Sequence, residues 1–242
     1  MCGIAGFVTN SFDTNGSSTD WLERLCDEVT AAPAGLDATA TLQSAVTTLQ
    51  DRFSELMSFA TSEKIAFDAG FRARVTALAD AFKTQTTALT DLSKKGRTDL
   101  DPLIESLRDY EWQLREELVA QTGEAMALIP ADLASSSGHA AKVALTTEHV
   151  LRSIDRLEVR GRDSAGIAVQ IQVPGDVLGA LDGDMAEAFA ERRASMHAGH
   201  LSVYVHENGG GTATLTFVYK TANLVGKLGD NGAALRAAIR ED

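Results

Sequence analysis

Residues 41–56, Thr41-Leu42-Gln43-Ser44-Ala45-Val46-Thr47-Thr48-Leu49-Gln50-Asp51-Arg52-Phe53-Ser54-Glu55-Leu56, place apolar side chains at Leu42, Val46, Leu49, Phe53 and Leu56, a 4-3-4-3 recurrence. Such a recurrence keeps one stripe of a helix apolar along its length. Phe71, Val75, Leu78 and Phe82 repeat it, Gln85 interrupts, and Leu89 and Leu92 resume. Between Thr41 and Leu92 only Gly70 disfavours a helix, so the pattern predicts one continuous helix or two stacked ones. A single helix of about 50 residues would reach roughly 75 Å. Lys94-Lys95-Gly96 supplies cations for the last turn and a glycine to stop it. Asp99 or Asp101 is placed to cap the next helix, with Pro102 in its first turn. Leu103, Leu107, Leu114 and Leu118 line that helix as far as Met126, and Pro130 ends it. Two amphipathic helices around a tight turn predict an antiparallel helical hairpin.

Outward from this block the texture changes. Thr19 or Asp20 is placed to cap a short helix to Val29, with Leu22, Leu25, Cys26 and Val29 on one face; Pro33-Ala34-Gly35 ends it. Asn10 to Thr19 reads as loop, and Met1 to Val8 as a short buried strand with glycines where another backbone or a ligand comes close. On the other side, Ser135-Ser136-Ser137-Gly138 reads as a loop that caps a further helix. Val143, Val150, Ile154 and Leu157 give that helix its apolar face, and it runs into Arg160-Gly161. Ile167, Val169, Ile171 and Val173 alternate as a strand, and Pro174-Gly175 turns it. Val177 to Arg193 reads as a short helix. Leu201 to His206 and Thr212 to Lys220 form a hairpin around Glu207-Asn208-Gly209-Gly210-Gly211. Asp230 caps a last helix, Ala233 to Arg240. The fold class is therefore α+β, divided as 1–17 (strand and loop), 18–134 (helical block) and 135–242 (mixed segment).

Composition narrows the function. With 22 Lys+Arg against 34 Asp+Glu, the net charge of −12 disfavours nucleic acid and anionic membrane as partners. No apolar run approaches the ~18 residues of a membrane span. Two cysteines, Cys2 and Cys26, cannot form a disulfide framework, which points to a reducing cytoplasm. Cys26 lies on an apolar helical face and reads as core. His197, His200 and His206 have no cysteine or carboxylate pattern beside them, so neither a metal nor another cofactor is expected. Gly209-Gly210-Gly211 lacks the strand–loop–helix order and the following Lys-Ser/Thr of a phosphate loop.

Cys2 follows the initiator methionine. Removal of Met1 would leave a terminal residue with both a thiol and a free α-amine. The amine's reference pKa of ~7.7–8.0 makes it a usable base near neutral pH, beside a thiol of ~8.5. One residue then supplies nucleophile and general base. The competing reading is a small buried side chain at the start of a strand.

Met1-Cys2-Gly3-Ile4-Ala5-Gly6-Phe7, taken with Arg156-Leu157-Glu158-Val159-Arg160-Gly161-Arg162-Asp163-Ser164-Ala165-Gly166-Ile167-Ala168-Val169, resembles the class II glutamine amidotransferases, the N-terminal-nucleophile type. Within that family the second string is most similar to the glucosamine-6-phosphate synthases (glutamine–fructose-6-phosphate aminotransferases). Gly226-Lys227-Leu228 is a weaker third echo. The resemblance implies part of a layered α/β sandwich, interrupted by the helical hairpin as an insertion. It implies glutamine as substrate and Cys2 as catalytic nucleophile, releasing ammonia through a thioester, for amino-sugar phosphate synthesis. Arg160 and Gly161 match the family's Arg-Gly beside the nucleophile. A fixed cation there would favour thiolate over thiol. Equally, Arg160 and Gly161 suit a helix C-terminus and its capping glycine. Asp163 is a supporting residue, holding Arg160 or the donors of the turn. Arg162 stands where the synthases usually carry an aromatic residue.

Two departures qualify the match. Cys2 and Arg160 lie 158 positions apart, against a couple of dozen in the family. About 130 residues are therefore inserted, and tolerated insertions enter at surface loops. Such an insertion is either a self-contained decoration or a docking or oligomerisation arm. In addition, the family's His-Thr-Arg-Trp-Ala-Thr stretch, its oxyanion-hole Gly-Asn and its substrate-binding aspartate have no counterpart; Asn231-Gly232 is reversed and reads as a helix start. An acyl-transfer site lacking one oxyanion donor loses ~10²–10³ in rate. The expectation is a poorly active glutaminase segment that needs a missing C-terminal part or a synthase domain as partner, with a homo-oligomer possible. The alternative is a non-catalytic interaction protein whose helical hairpin is the functional part.

Overall fold

The computed structural model describes residues 18–136, 138–157, 164–177, 183, 186–194, 201–209, 211–221 and 229–242. The strand expected over Met1–Val8 lies outside them. Among the described residues the chain is mostly helical with one three-stranded antiparallel sheet, an α+β composition. It divides into two compact units at Leu145/Thr146.

The first unit is a helical bundle. α1 (Asp20–Thr30) buries Leu22, Leu25, Cys26 and Val29 on the expected face, with Trp21 beside them. Neither the one continuous helix nor the two stacked helices expected over Thr41–Leu92 is formed. Instead the chain makes α2 (Thr39–Asp51), the one-turn α3 (Phe53–Leu56), α4 (Phe59–Phe67) and α5 (Ala69–Ser93). Side-chain caps restart the helix at two of these breaks: Ser58 Oγ accepts from the Thr61 amide at 3.3 Å, and Asp68 Oδ1 from the Phe71 amide at 2.9 Å. Gly70, the expected weak point, sits inside the first turn that Asp68 caps. The longest helix, α5, has 25 residues, or about 37 Å, half the projected length.

Breaking the segment lets α1 and α6 (Asp101–Trp112) both pack along α5, and α2 pack on α6. The core joins Leu22, Leu42, Leu49, Phe71, Leu78, Phe82, Leu89, Leu107, Leu114 and Leu118. Each fully buried side chain of this kind contributes about 1.5–3 kcal/mol relative to exposure. Phe53, expected in the seam, is 43% exposed, because the turn at Arg52 rotates α3 off the line of α2.

At the end of α5, Gly96 adopts φ +103°, the left-handed conformation that stops the helix, and the Arg97 amide bonds back to the Leu92 carbonyl at 3.2 Å. Neither expected aspartate caps α6. Asp99 forms a two-point ion pair with Arg97, and Asp101, already in the helix, accepts from Ser93 Oγ at 2.5 Å. α6 continues through a π-helical segment, Gln113–Ala120, into α7 (Gln121–Met126). Tyr110, Leu114, Leu118 and Thr122 are each four residues apart and all buried. A regular 3.6-residue turn lets such a row drift around the helix, and the wider π turn winds it back.

Ser135 and Ser136 belong to α8 (Ala131–Ser136) rather than to a loop. α9 (Gly138–Leu157) follows, with its buried face formed by Ala141, Ala144, Leu145, Glu148 and Leu151. The expected stripe of Val143, Val150, Ile154 and Leu157 is rotated off that face, and Leu157 is 38% exposed.

In the second unit β1 (Ala165–Pro174), β2 (Leu201–Gly209) and β3 (Thr212–Thr221) are arranged β1-β3-β2, all antiparallel. Ile171 faces Leu215, which faces Val205; Val169 faces Phe217, which faces Val203. Period-two alternation puts these on one face of the sheet, where Phe189 of α10 (Ala186–Ala194) packs on Val203 and Leu215. The opposite face carries Gln170, Gln172, Thr214, Thr216 and Lys220. The hairpin turn is tighter than expected: Glu207, Asn208 and Gly209 extend β2, with an irregularity at Asn208, and Gly211 takes φ +78°. Of the helix expected over Val177 to Arg193, the described residues are Val177, in a helical turn over 175–177, Gly183, in a turn, and the part within α10. The last helix, α11 (Asp230–Glu241), is preceded by Gly229 at φ +92° in the N-cap position, so Asp230 is its first residue and not its cap.

Candidate functional site

All four residues selected from the sequence, Cys2, Arg160, Gly161 and Asp163, lie outside the described residues, as do Gly226-Lys227-Leu228, His197 and His200. The ends of the longer motif are described. Arg156 and Leu157 close α9, and Ala165 to Val169 open β1, so the motif links the end of a helix to the start of a strand. Gly166, in that strand, has its Cα against β3: a Cβ there would meet the Tyr219 carbonyl oxygen at 3.2 Å. His206 is exposed on β2, and no group of three His, Cys, Asp or Glu able to hold a metal occurs among the described residues.

The same unit holds two polar clusters that the sequence reading missed. Glu148 is fully buried on α9. Arg236, from α11, donates through Nε to Glu148 Oε2 at 2.9 Å and through Nη2 to Oε1 at 2.5 Å, and also to Asp155 Oδ2 at 2.9 Å. Arg152, one turn from Glu148, brings Nε to 3.7 Å. The cluster satisfies a charge that would be prohibitive to bury alone. Burial pulls the Arg236 pKa down, but the hydrogen bonds to Glu148 and Asp155 more than reverse it and hold the guanidinium above its usual value. A Cβ at Gly232 would overlap Asp155 Oδ1 and come within 2.9 Å of Arg236 Nη1. Asn231-Gly232 therefore works here as a helix start that admits the carboxylate. A legible signal existed: Glu148 interrupts the stripe Ala141, Ala144, Leu145, Leu151, and Asp155 follows seven residues later on the same face.

In the second cluster Arg192 of α10 donates through Nε to Asp242 Oδ1 at 2.6 Å, and Tyr219 on β3 donates its hydroxyl to Asp242 Oδ2 at 2.9 Å. The Arg192 guanidinium lies over the Phe217 and Tyr219 rings, 5.3 and 5.1 Å from their centroids. Burial, reinforced by Asp242, pushes the Tyr219 phenol up to about 12, so it stays a hydrogen-bond donor. Both clusters pair their charges internally and join helix to helix or helix to sheet, which is a scaffolding arrangement.

Cys26, in the helical unit, is buried, and burial pushes its thiol up to about 12. A neutral, enclosed thiol is neither nucleophile nor metal ligand. No helix among the described residues is long and apolar enough to cross a membrane.

Comparison with known proteins returned no matching family model, no matching curated protein and no matching solved structure.

Proposed function

We propose that the chain is a glutaminase segment of the class II glutamine amidotransferase type. The observation that carries this reading is the coincidence of Met1-Cys2-Gly3-Ile4-Ala5-Gly6-Phe7 with the ungapped string Arg156 to Val169. The helix-to-strand setting of the second string and the placement of Gly166 close to a neighbouring backbone support it. So does the inertness of Cys26, which leaves Cys2 as the one thiol suited to nucleophilic chemistry.

In this reading the Cys2 thiol, after loss of Met1, gives its proton to its own α-amine and attacks the side-chain amide carbon of glutamine. The tetrahedral intermediate collapses as the ammonium returns the proton to nitrogen, and ammonia leaves. Water then attacks the thioester, releasing glutamate and restoring the thiol. Arg160 favours the thiolate, Gly161 allows close approach of the backbone, and Asp163 orients Arg160. The ammonia serves amino-sugar phosphate synthesis, and the fold around Cys2 is the N-terminal-nucleophile sandwich with the helical unit inserted into it. Turnover by this chain alone is slow, because the family's arginine for the substrate carboxylate and its Gly-Asn oxyanion donors have no counterpart here.

A second reading is favoured by one observation: the helical unit carries its own core, running from Trp21 to Leu118. In that reading the helices form an interaction module and Cys2 is not catalytic.

Acid-quenching the chain after incubation with glutamine separates the two, because a thioester is trapped even where turnover is slow. A glutamyl adduct on Cys2, absent in Cys2→Ala, supports the glutaminase. A folded chain lacking Met1 that forms no adduct at millimolar glutamine overturns it.

A further inference from the structure

α5 and α6 flank an open groove of about 330 Å³ whose lining residues are all polar or charged. On α5 its lining runs along one stripe, Lys83, Thr86, Thr87, Thr90 and Lys94, with successive members three or four residues apart or adjacent; α6 contributes Arg108 and Glu111. The carboxylates in the groove are already engaged. Glu111 Oε1 accepts from Arg115 Nε at 2.8 Å, and Asp91 lies 3.9 Å from Lys94. Lys83 and Arg108 remain. Neither has a carboxylate within ion-pair distance among the described residues. The contact of Arg108 there is a long one, 3.4 Å from Nη2 to Thr90 Oγ1. The Thr86 hydroxyl, shielded from solvent, makes no hydrogen bond. Two unpaired cations thus face the same groove on neighbouring helices, in a chain whose net charge is −12.

We infer that this groove binds a phosphate dianion, free or as a phosphomonoester. The planar guanidinium of Arg108 can grip two oxygens at once, and the Lys83 ammonium adds a point charge from the opposite wall. A ligand oxygen drawn between them offers the Thr86 hydroxyl the partner it lacks. Glu111, held by Arg115, and Asp91, beside Lys94, set the limit: two cations for one dianion, with no excess to attract polyanions. The site is independent of the glutaminase reading, since it lies wholly within the helical unit and uses no residue of that chemistry.

The test is a titration of the whole 242-residue chain, labelled with nitrogen-15, with inorganic phosphate and separately with glycerol 3-phosphate. Sodium chloride keeps the ionic strength constant. Expected are saturable amide shifts concentrated at Thr86, Thr87, Thr90 and Arg108. Saturation by both ligands assigns the phosphate group itself as the determinant, and saturation by the ester alone assigns a phosphomonoester. Lys83→Gln and Arg108→Gln each weaken binding about tenfold, the worth of one charge-assisted hydrogen bond. Arg24→Gln, which removes the same charge from the exposed side of α1, leaves the affinity unchanged. Shifts that never saturate, shifts spread over lysines elsewhere, or undiminished affinity in a folded Arg108→Gln variant overturn the inference.

Discussion

Arg236 on α11 holds both carboxylate oxygens of Glu148, a side chain with no exposed surface on α9, at 2.9 and 2.5 Å. The pair fastens the last helix to the helix that leads into the sheet. Breaking a buried pair strands a charge, and typical losses are about 3–5 kcal/mol. Glu148→Gln and Arg236→Met should each destabilise the 146–242 unit by an amount in that range. The joint Glu148→Leu, Arg236→Met variant should lose less than either single change implies, because it buries no unpaired charge. Urea denaturation followed through the tyrosine signal of this unit checks the cycle; strict additivity would show that the two side chains are not coupled.

Gly232 and Gly123 are both helical, yet alanine should act in opposite directions. At Gly232 a Cβ lies 2.8 Å from Asp155 Cγ, inside the space the Arg236 cluster occupies, so Gly232→Ala should cost about 1–3 kcal/mol. At Gly123, exposed in α7, a Cβ meets nothing within 4 Å. Gly123→Ala should stabilise by about 0.5–1 kcal/mol, through propensity alone. Paired melting curves of the two variants show whether the signs differ.

Gln85 interrupts the apolar stripe of α5 for a structural reason. Its Nε2 donates to the Pro33 carbonyl at 2.8 Å, and its Oε1 accepts from the Gly35 amide at 3.0 Å, pinning the loop after α1 to the bundle. Gln85→Leu restores the apolar pattern but leaves both backbone groups without partners. It should therefore destabilise by about 1–3 kcal/mol despite the gain in hydrophobicity. A Leu variant as stable as the parent would mean that water takes over both groups.

These residues also show what the sequence made legible. The faces of α1 and α5, the alternation of β1 and the β2–β3 hairpin were readable because each is a local period. The breaks at Ser58 and Asp68 were written locally as well, as capping side chains three residues before Thr61 and Phe71, but the apolar recurrence running across them outweighed those signals. The face of α9 was misread because its buried stripe contains Glu148, whose burial depends on Arg236, 88 positions away. No local period encodes such a partner. The α5–α6 groove is of the same kind, since Lys83 and Arg108 come to line one groove only after the chain folds back at Gly96. Of the site residues, Arg160, Gly161 and Asp163 carry a resemblance read from local sequence alone and lie outside the described residues.

The pH dependence should be alkaline. Cys26 and Tyr219 are both pushed up to about 12 in the folded chain, from ordinary values of 9.0 and 10.0. Folding therefore favours their protonated forms. Their contribution is complete below about pH 9 and is lost as pH rises toward 12, where the unfolded chain has already released the protons. Stability measured from pH 8 to 11 should fall. Tyr219→Phe should flatten the fall for the 146–242 unit, and Cys26→Ala should flatten it for the helical unit, whatever each variant does to stability at neutral pH. A slope unchanged in both variants would assign the alkaline loss to other groups.

The claim that Cys2 is an N-terminal nucleophile is tested most directly by covalent labelling. The folded chain is treated near pH 7.5 with a diazoketone analogue of glutamine, then analysed by intact mass and peptide mapping. The expected result is loss of Met1 and a single adduct on Cys2, suppressed by excess glutamine, with Cys26 untouched until the chain is unfolded. Retained Met1, or a folded and processed chain whose Cys2 stays unlabelled, would contradict the account.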